Sequence, residues 1–199
     1  IVLFLLFFSA SSCGSKEDNE EVVVTPEIGT FAKGADVSWI TEMEASGKKF
    51  YNASGTAMEG MALLKSLGMN ALRLRVWVNP SDGWCNKADL LIKAKRAKSL
   101  NMRIMIDFHY SDSWADPGKQ IKPKAWKDFD ADQLEQAVYE FTEDSLRKVL
   151  EAGVNVTMIQ VGNEVTNGLL WPEGLKPNYD NIARFISSGI RACRAVKPE

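Results

Sequence analysis

From position 31 onward the chain alternates two hydrophobic periodicities. Short runs rich in β-branched and aromatic residues at 31–39, 71–78, 103–110 and 156–162 read as strands. Each is followed by a loop and an amphipathic stretch that reads as a helix, at 56–67, 87–100, 132–152 and 179–196. In the third helix Leu134, Val138, Phe141, Val149 and Leu150 share one side, and Asp132 with Glu135 is placed as an N-terminal capping box. Three of the helices run into Gly68, Asn101 or Gly153, residues that tolerate a left-handed C-cap, and a strand begins shortly after each.

Regular alternation of strand and helix implies a parallel sheet covered by helices. A doubly wound sheet would want a glycine-rich phosphate turn after its first strand, and no G-x-G-x-x-G run is present. Strand parity points instead to a barrel. In the second strand Leu72, Leu74, Val76 and Val78 alternate with Arg73, Arg75 and Trp77; in the third, Ile104, Ile106 and Phe108 alternate with Asp107 and His109. One face is apolar for packing on helices. The other turns polar toward the C-terminal strand ends, where barrel enzymes keep their active sites. The expected fold is therefore α/β, a (β/α)8 TIM barrel, with its N-terminal half in residues 30–199. Such a barrel takes about 250 residues. With Ile1 in place of Met and Glu199 directly after a helix, the expectation is a fragment at both ends, inactive by itself.

Composition narrows the class. The 199 residues are 45% hydrophobic and 25% charged with a net charge of −2, ordinary for a globular enzyme. That balance argues against a nucleic-acid partner, which would call for a basic face. Lys87, Lys93, Lys95, Arg96 and Lys98 fall in one predicted helix and read as its solvated face. Cys85 and Cys193 belong to opposite ends of the barrel and are expected to be free thiols.

The first residues read as an address. IVLFLLFF at 1–8 is apolar but far shorter than the ~20 residues that span a bilayer. Small residues and Cys13 follow, as in the h-region and cleavage zone of a secretory signal. A cysteine at that place resembles the bacterial lipoprotein signal, in which the thiol is lipidated; Ala10 stands where that pattern prefers Leu. An ordinary cleaved signal with an incidental cysteine is the alternative. Residues 14–29, acidic at first and containing Thr25-Pro26, read as a flexible tether. The acidic patch resembles a surface-export signal. The expectation is an exported lipoprotein at the outer membrane or cell surface, touching the membrane only through its lipid.

Gly162-Asn163-Glu164 ends the fourth strand, where packing alone explains none of the three. A carboxylate beside an amide there suits a general acid next to a group that holds a sugar hydroxyl. A helix cap or a loop salt bridge at Glu164 is the competing reading. Arg73 faces inward on the second strand and needs an anionic partner, since burying it alone costs several kcal/mol. That partner is either a catalytic carboxylate or a structural one, for which Asp107 or Asp36 would serve. Trp39, Trp77, Trp84, Trp114, Trp126 and Trp171 fall within or just beyond strand ends, and indole faces stack on sugar rings.

At these residues the sequence resembles glycoside hydrolase family 53, the arabinogalactan endo-β-1,4-galactanases. The resemblance rests on GADVSW at 34–39, RLRVWVNPSDG at 73–83, DFHYSDSWADP at 107–117, and GNE at 162–164 followed by GLLWP at 168–172. It implies a retaining mechanism on β-1,4-galactan with two glutamates. Glu164 matches the acid/base, Asn163 its neighbour at the sugar 2-hydroxyl, and Arg73 the arginine beside the nucleophile. His109, Asp112, Trp114 and Trp171 match positions lining the cleft. The nucleophile belongs to the seventh strand, beyond Glu199. No cofactor or metal is implied for this half; the calcium of bacterial members sits in a late loop outside it. A non-catalytic glycan-binding lipoprotein would use the same tryptophans without needing Glu164. A sibling glycosidase acting on mannan or cellulose would not carry the whole 107–117 run.

Overall fold

A computed structural model describes residues 31–197; the signal-like segment, Cys13 and the tether lie outside the described residues. In chain order the elements are β1 (Gly34–Asp36), α1 (Ile40–Ala45), β2 (Phe50–Tyr51), β3 (Ala57–Met58), α2 (Gly60–Ser66) and β4 (Ala71–Val76). Then come α3 (Lys87–Ser99), β5 (Arg103–Phe108), α4 (Ala131–Glu151), β6 (Val156–Val161) and α5 (Tyr179–Val196), with short 3-10 turns at Lys124–Trp126 and Val165–Asn167. The main sheet is parallel, in the order β1-β4-β5-β6. Each crossover lands on the next strand, so the order never reverses as it would in a doubly wound sheet. This is the arrangement of one part of a (β/α)8 barrel.

Parity decides which face is covered. Leu72, Leu74 and Val76 of β4 and Ile104, Ile106 and Phe108 of β5 share one buried cluster with residues of α3, α4 and α5. Burying each such side chain contributes about 1.5–3 kcal/mol. The opposite, inner face carries Arg73, Arg75 and Asp107, and toward its N-terminal side Met105 and the half-exposed Met158 line a cavity of ≈ 270 Å³. β1 can lie against β4 because residue 34 is glycine: a Cβ there would stand 2.2 Å from the Ala71 carbonyl oxygen.

Gly68, Asn101 and Gly153 all take left-handed backbone at φ 91, 50 and 70, as expected of C-caps. The N-terminus of α4 differs from expectation. Its capping box is Asp130 with Gln133, two residues upstream, and Asp132 and Glu135 instead form ion pairs with Arg184 of α5. Both frames place an acid three residues before an acid or amide; only the backbone's point of entry separates them. The first strand is also shorter than its run of β-formers, because Ser38 accepts the chain into a turn through its N–H bond to Asp36 Oδ1. The segment 40–58 holds a helix and a two-stranded antiparallel hairpin that periodicity does not reveal, which delays the start of α2 to Gly60.

The basic helix is not a uniformly solvated face. Lys93 is fully buried, its Nζ donating to Asp89 Oδ2 and to the Ser38 carbonyl, each at 2.7 Å. Arg96 bridges Glu44 and Glu59, so α3 carries α1 and α2 through charge as well as packing. Asp89 Oδ2 also accepts from the Cys85 N–H at 2.6 Å, and the Cys85 thiol donates to the Ser38 carbonyl. One buried ion pair thereby fastens the turns after β1 and β4 together. Among the described residues the two cysteines are free, Cys85 buried and Cys193 half-buried on α5.

Removing one member of a buried pair strands its partner. Lys93→Met, close in volume, should destabilise the protein by about 3–5 kcal/mol, whereas Lys95→Met on the exposed side should change the thermal midpoint little; equal midpoints for the two variants would contradict the buried pair. Burial pushes the Cys85 thiol up despite the opposing pull of Lys93, and burial pushes Cys193 up to about 11. Neither is a thiolate at neutral pH, so alkylation followed by mass spectrometry should be slow in the native protein and complete after denaturation. A Cys85–Cys193 disulfide in a non-reducing peptide map would contradict this placement.

Candidate active site

The C-terminal ends of the parallel strands converge on one guanidinium. Register sets Arg73 of β4 beside Asp36 of β1, and Asp107 of β5 one pair further along, opposite Arg75. Arg73 Nη1 lies 2.6 Å from Asp36 Oδ2, and Nη2 lies 2.6 Å from Asp107 Oδ2. Nη2 also donates to Asn163 Oδ1 at 2.8 Å, just beyond β6. A planar fork suits such a site because its donors diverge in fixed directions. Arg75 adds a longer contact to Asp36 Oδ1 at 3.4 Å. Two arginines thus face two aspartates and the formal charge cancels. Of the two readings left open for Arg73, the structural carboxylates are both realised within this chain.

Asp36 is tuned by its setting. Burial would raise its carboxyl, but the Ser38 hydroxyl and backbone N–H, with the Arg75 and Arg73 guanidiniums, outweigh burial and hold it below the usual carboxylate range. The Ser38 hydroxyl lies 2.6 Å from Asp36 Oδ1 and accepts from the Arg75 N–H at 2.7 Å. Ser38 therefore links the charge node to the Lys93 pair behind it.

His109 lies beneath this surface, fully buried. Its Nδ1 accepts from Trp77 Nε1–H at 3.2 Å and from the Ala115 N–H at 3.3 Å. The ring proton therefore sits on Nε2, which donates to Asp107 Oδ2 at 2.8 Å. Trp114 packs edge-on against both Trp77 and His109. The Arg75 guanidinium stands 4.1 Å from the Trp114 ring centroid, a cation–π contact that holds the indole upright. With 51% of its surface exposed, Trp114 keeps a free aromatic face at the rim.

The remaining predicted positions separate. Trp171 is half-buried, its Nε1 donating to the Asn167 carbonyl. Asp112 accepts from the backbone N–H groups of Asn79 and Lys124, both at 2.8 Å, and so staples two loops together. Trp126 is no part of the groove: it is buried against Phe141 of α4. Trp39 packs on Phe50 at the hairpin.

Glu164 stands apart from all of these. It is exposed, and its carboxylate makes no hydrogen bond or ion pair with the described residues, so it neither caps the following 3-10 turn nor joins a loop salt bridge. Its backbone is left-handed at φ 48, ψ 45, a conformation that costs a non-glycine residue about 1–3 kcal/mol and persists only when its surroundings impose it. Beside it Asn163 is buried, Oδ1 on Arg73 and Nδ2 on the Ala115 carbonyl at 2.7 Å. An amide nitrogen carries two N–H groups, so one is left for a ligand. A fixed amide next to a carboxyl with no protein partner can orient a hydroxyl and exchange a proton with it. Among the described residues no cluster of His, Cys, Asp or Glu side chains is spaced to hold a metal ion.

Sequence reasoning missed Ser38 and Gln120, the latter buried with its Nε2 donating to the Asn163 carbonyl at 2.7 Å, and treated Asp36 only as a candidate counter-ion. Asp36 was within reach of the parity argument, as a polar residue at a strand's C-terminal end. Gln120 lies in a loop without periodicity, and nothing local marks it.

The sequence profile of glycosyl hydrolase family 53 matches residues 32–199. The arabinogalactan endo-β-1,4-galactanase of Thermothelomyces thermophilus is 42% identical over 156 residues, covering 78% of this chain and 47% of that protein. A solved fungal β-1,4-galactanase superposes with a TM-score of 0.80 at 39% identity, covering 84% of this chain and 51% of the other. The family 53 catalytic domain of Ignisphaera aggregans gives 0.80 at 36% identity, over 89% and 52% of the two chains. This chain spans about half the length of the relatives it matches. A profile match from residue 32 to residue 199, with a relative 42% identical over 78% of this chain, establishes that the chain belongs to glycosyl hydrolase family 53.

Proposed function

We propose that the protein carrying this chain is an endo-acting, retaining glycoside hydrolase that cleaves β-1,4-galactosidic bonds in the galactan and arabinogalactan side chains of pectin, with Glu164 as its acid/base. The observation that carries this reading is the Glu164 carboxylate, without a partner among the described residues, beside an Asn163 amide locked onto Arg73. Two carboxyl groups about 5–5.5 Å apart are needed for retention, and the second is assigned to no residue of this chain. Glu164 gives its proton to the glycosidic oxygen as the bond to the anomeric carbon breaks and the nucleophile bonds to that carbon. It then takes a proton from the water that releases the sugar. Asn163 offers its free N–H to the 2-hydroxyl, where hydrogen bonds strengthen in the transition state. Trp114 offers a stacking face, with His109 supporting it from below; Trp171 and Asp112 shape the rim. The anchor is a further part of the proposal: lipidation at Cys13 with residues 14–29 as tether would hold the enzyme at the outer membrane or cell surface.

Glu164→Gln should lower kcat on galactan on the order of 10²–10⁴-fold with KM little changed. An aryl galacto-oligosaccharide with a dinitrophenolate leaving group needs no protonation, so the same variant should release a burst of phenolate before slow turnover. Near-normal galactan turnover by Glu164→Gln would refute the acid/base assignment. For the anchor, Cys13→Ser should move the expressed protein from the membrane fraction to the soluble fraction on immunoblotting; unchanged fractionation would exclude lipidation at that residue.

A further inference from the structure

Gln120 is 2% exposed, in a loop with no regular structure, and its side-chain amide points at the strained segment. Nε2 lies 2.7 Å from the Asn163 carbonyl oxygen and 3.4 Å from that of Glu164, with the Asp116 carbonyl of its own loop at 3.2 Å. The Asn163 carbonyl belongs to the peptide plane before the Glu164 Cα, and the Glu164 carbonyl to the plane after it. A donor shared between those two oxygens restrains the planes on both sides of one Cα, and so restrains φ and ψ of Glu164 together. The Gln120 backbone reaches the opposite wall as well, its carbonyl accepting from the Trp171 N–H at 2.8 Å. The same loop holds the Asn163 side chain through the Ala115 carbonyl.

We propose that Gln120 is a positioning residue: its amide holds the Glu164 backbone in the left-handed conformation that aims the acid/base at the glycosidic oxygen, and its main chain ties Trp171 to the same frame. The inference rests on the reading of Glu164 as acid/base. It predicts a defect confined to the two proton transfers of Glu164, because the carboxyl group keeps its chemistry and loses only its direction.

The test uses the full natural protein with Gln120→Met, which keeps length and removes both donors, and Gln120→Glu, which keeps shape and polarity. Both should lower kcat on galactan by on the order of 10- to 100-fold, as expected of a misaimed catalytic group, with KM within about twofold. The rate of the initial burst of dinitrophenolate from the activated aryl galacto-oligosaccharide, which needs no proton from Glu164, should fall far less. In a Glu164→Gln background, adding Gln120→Met should lower galactan turnover no further, since residues acting as a unit are not additive. Equal losses in galactan turnover and in the dinitrophenolate burst rate, additive losses in the double variant, or wild-type turnover by Gln120→Met would each overturn the positioning role. These outcomes are separable from failure of the acid/base reading, which Glu164→Gln reports alone.

Discussion

The site depends on a single constraint, the neutralisation of Arg73 inside the curve of the sheet. Its guanidinium is met by Asp36 from β1, Asp107 from β5 and Asn163 beyond β6. All four strands therefore contribute to one hydrogen-bonded node. A charge in that position without partners costs several kcal/mol, so the register that delivers the partners is favoured over any slipped alternative. Asp107 is fully buried and shares one oxygen between Arg73 and His109. The histidine in turn fixes Trp77, and Arg75 steadies Trp114 above them. Electrostatic balance and the placing of the aromatic rim are one network.

Around this node, loops are held by polar contacts to backbone as well as by packing. Lys93 and Asp89 fasten the turns after β1 and β4, Asp112 joins the loops after β4 and β5, and Gln120 grips the end of β6. Such loops bury apolar side chains such as Tyr110, Leu169 and Leu170, but their backbone groups have no ladder to pair with and need specific partners. The outer helices follow a different economy. α4 and α5 pack through a broad apolar face, with Arg184 and Arg191 on Glu135 at the exposed margin, where ion pairs are worth little.

The amino-acid sequence by itself determined the alternation of strands and helices, the C-caps at Gly68, Asn101 and Gly153, and the polar inner parity that carries Arg73 and Asp107. It also marked Glu164 and Asn163, because a polar run at the end of a strand breaks the local pattern. All of these signals are local: they are written in periods of two or of 3.6 residues within one element. Tertiary structure alone decided which carboxylates meet Arg73, since those partners lie 37 and 34 positions away in sequence and Asn163 lies 90 away. It also turned Lys93 inward, moved the α4 cap to Asp130, sent Trp126 into the helical layer and brought Gln120 beneath Glu164. Each of these follows from how separate elements are set against one another. No single segment encodes that relation; it arises when strand register and loop closure fix distant backbones in one frame.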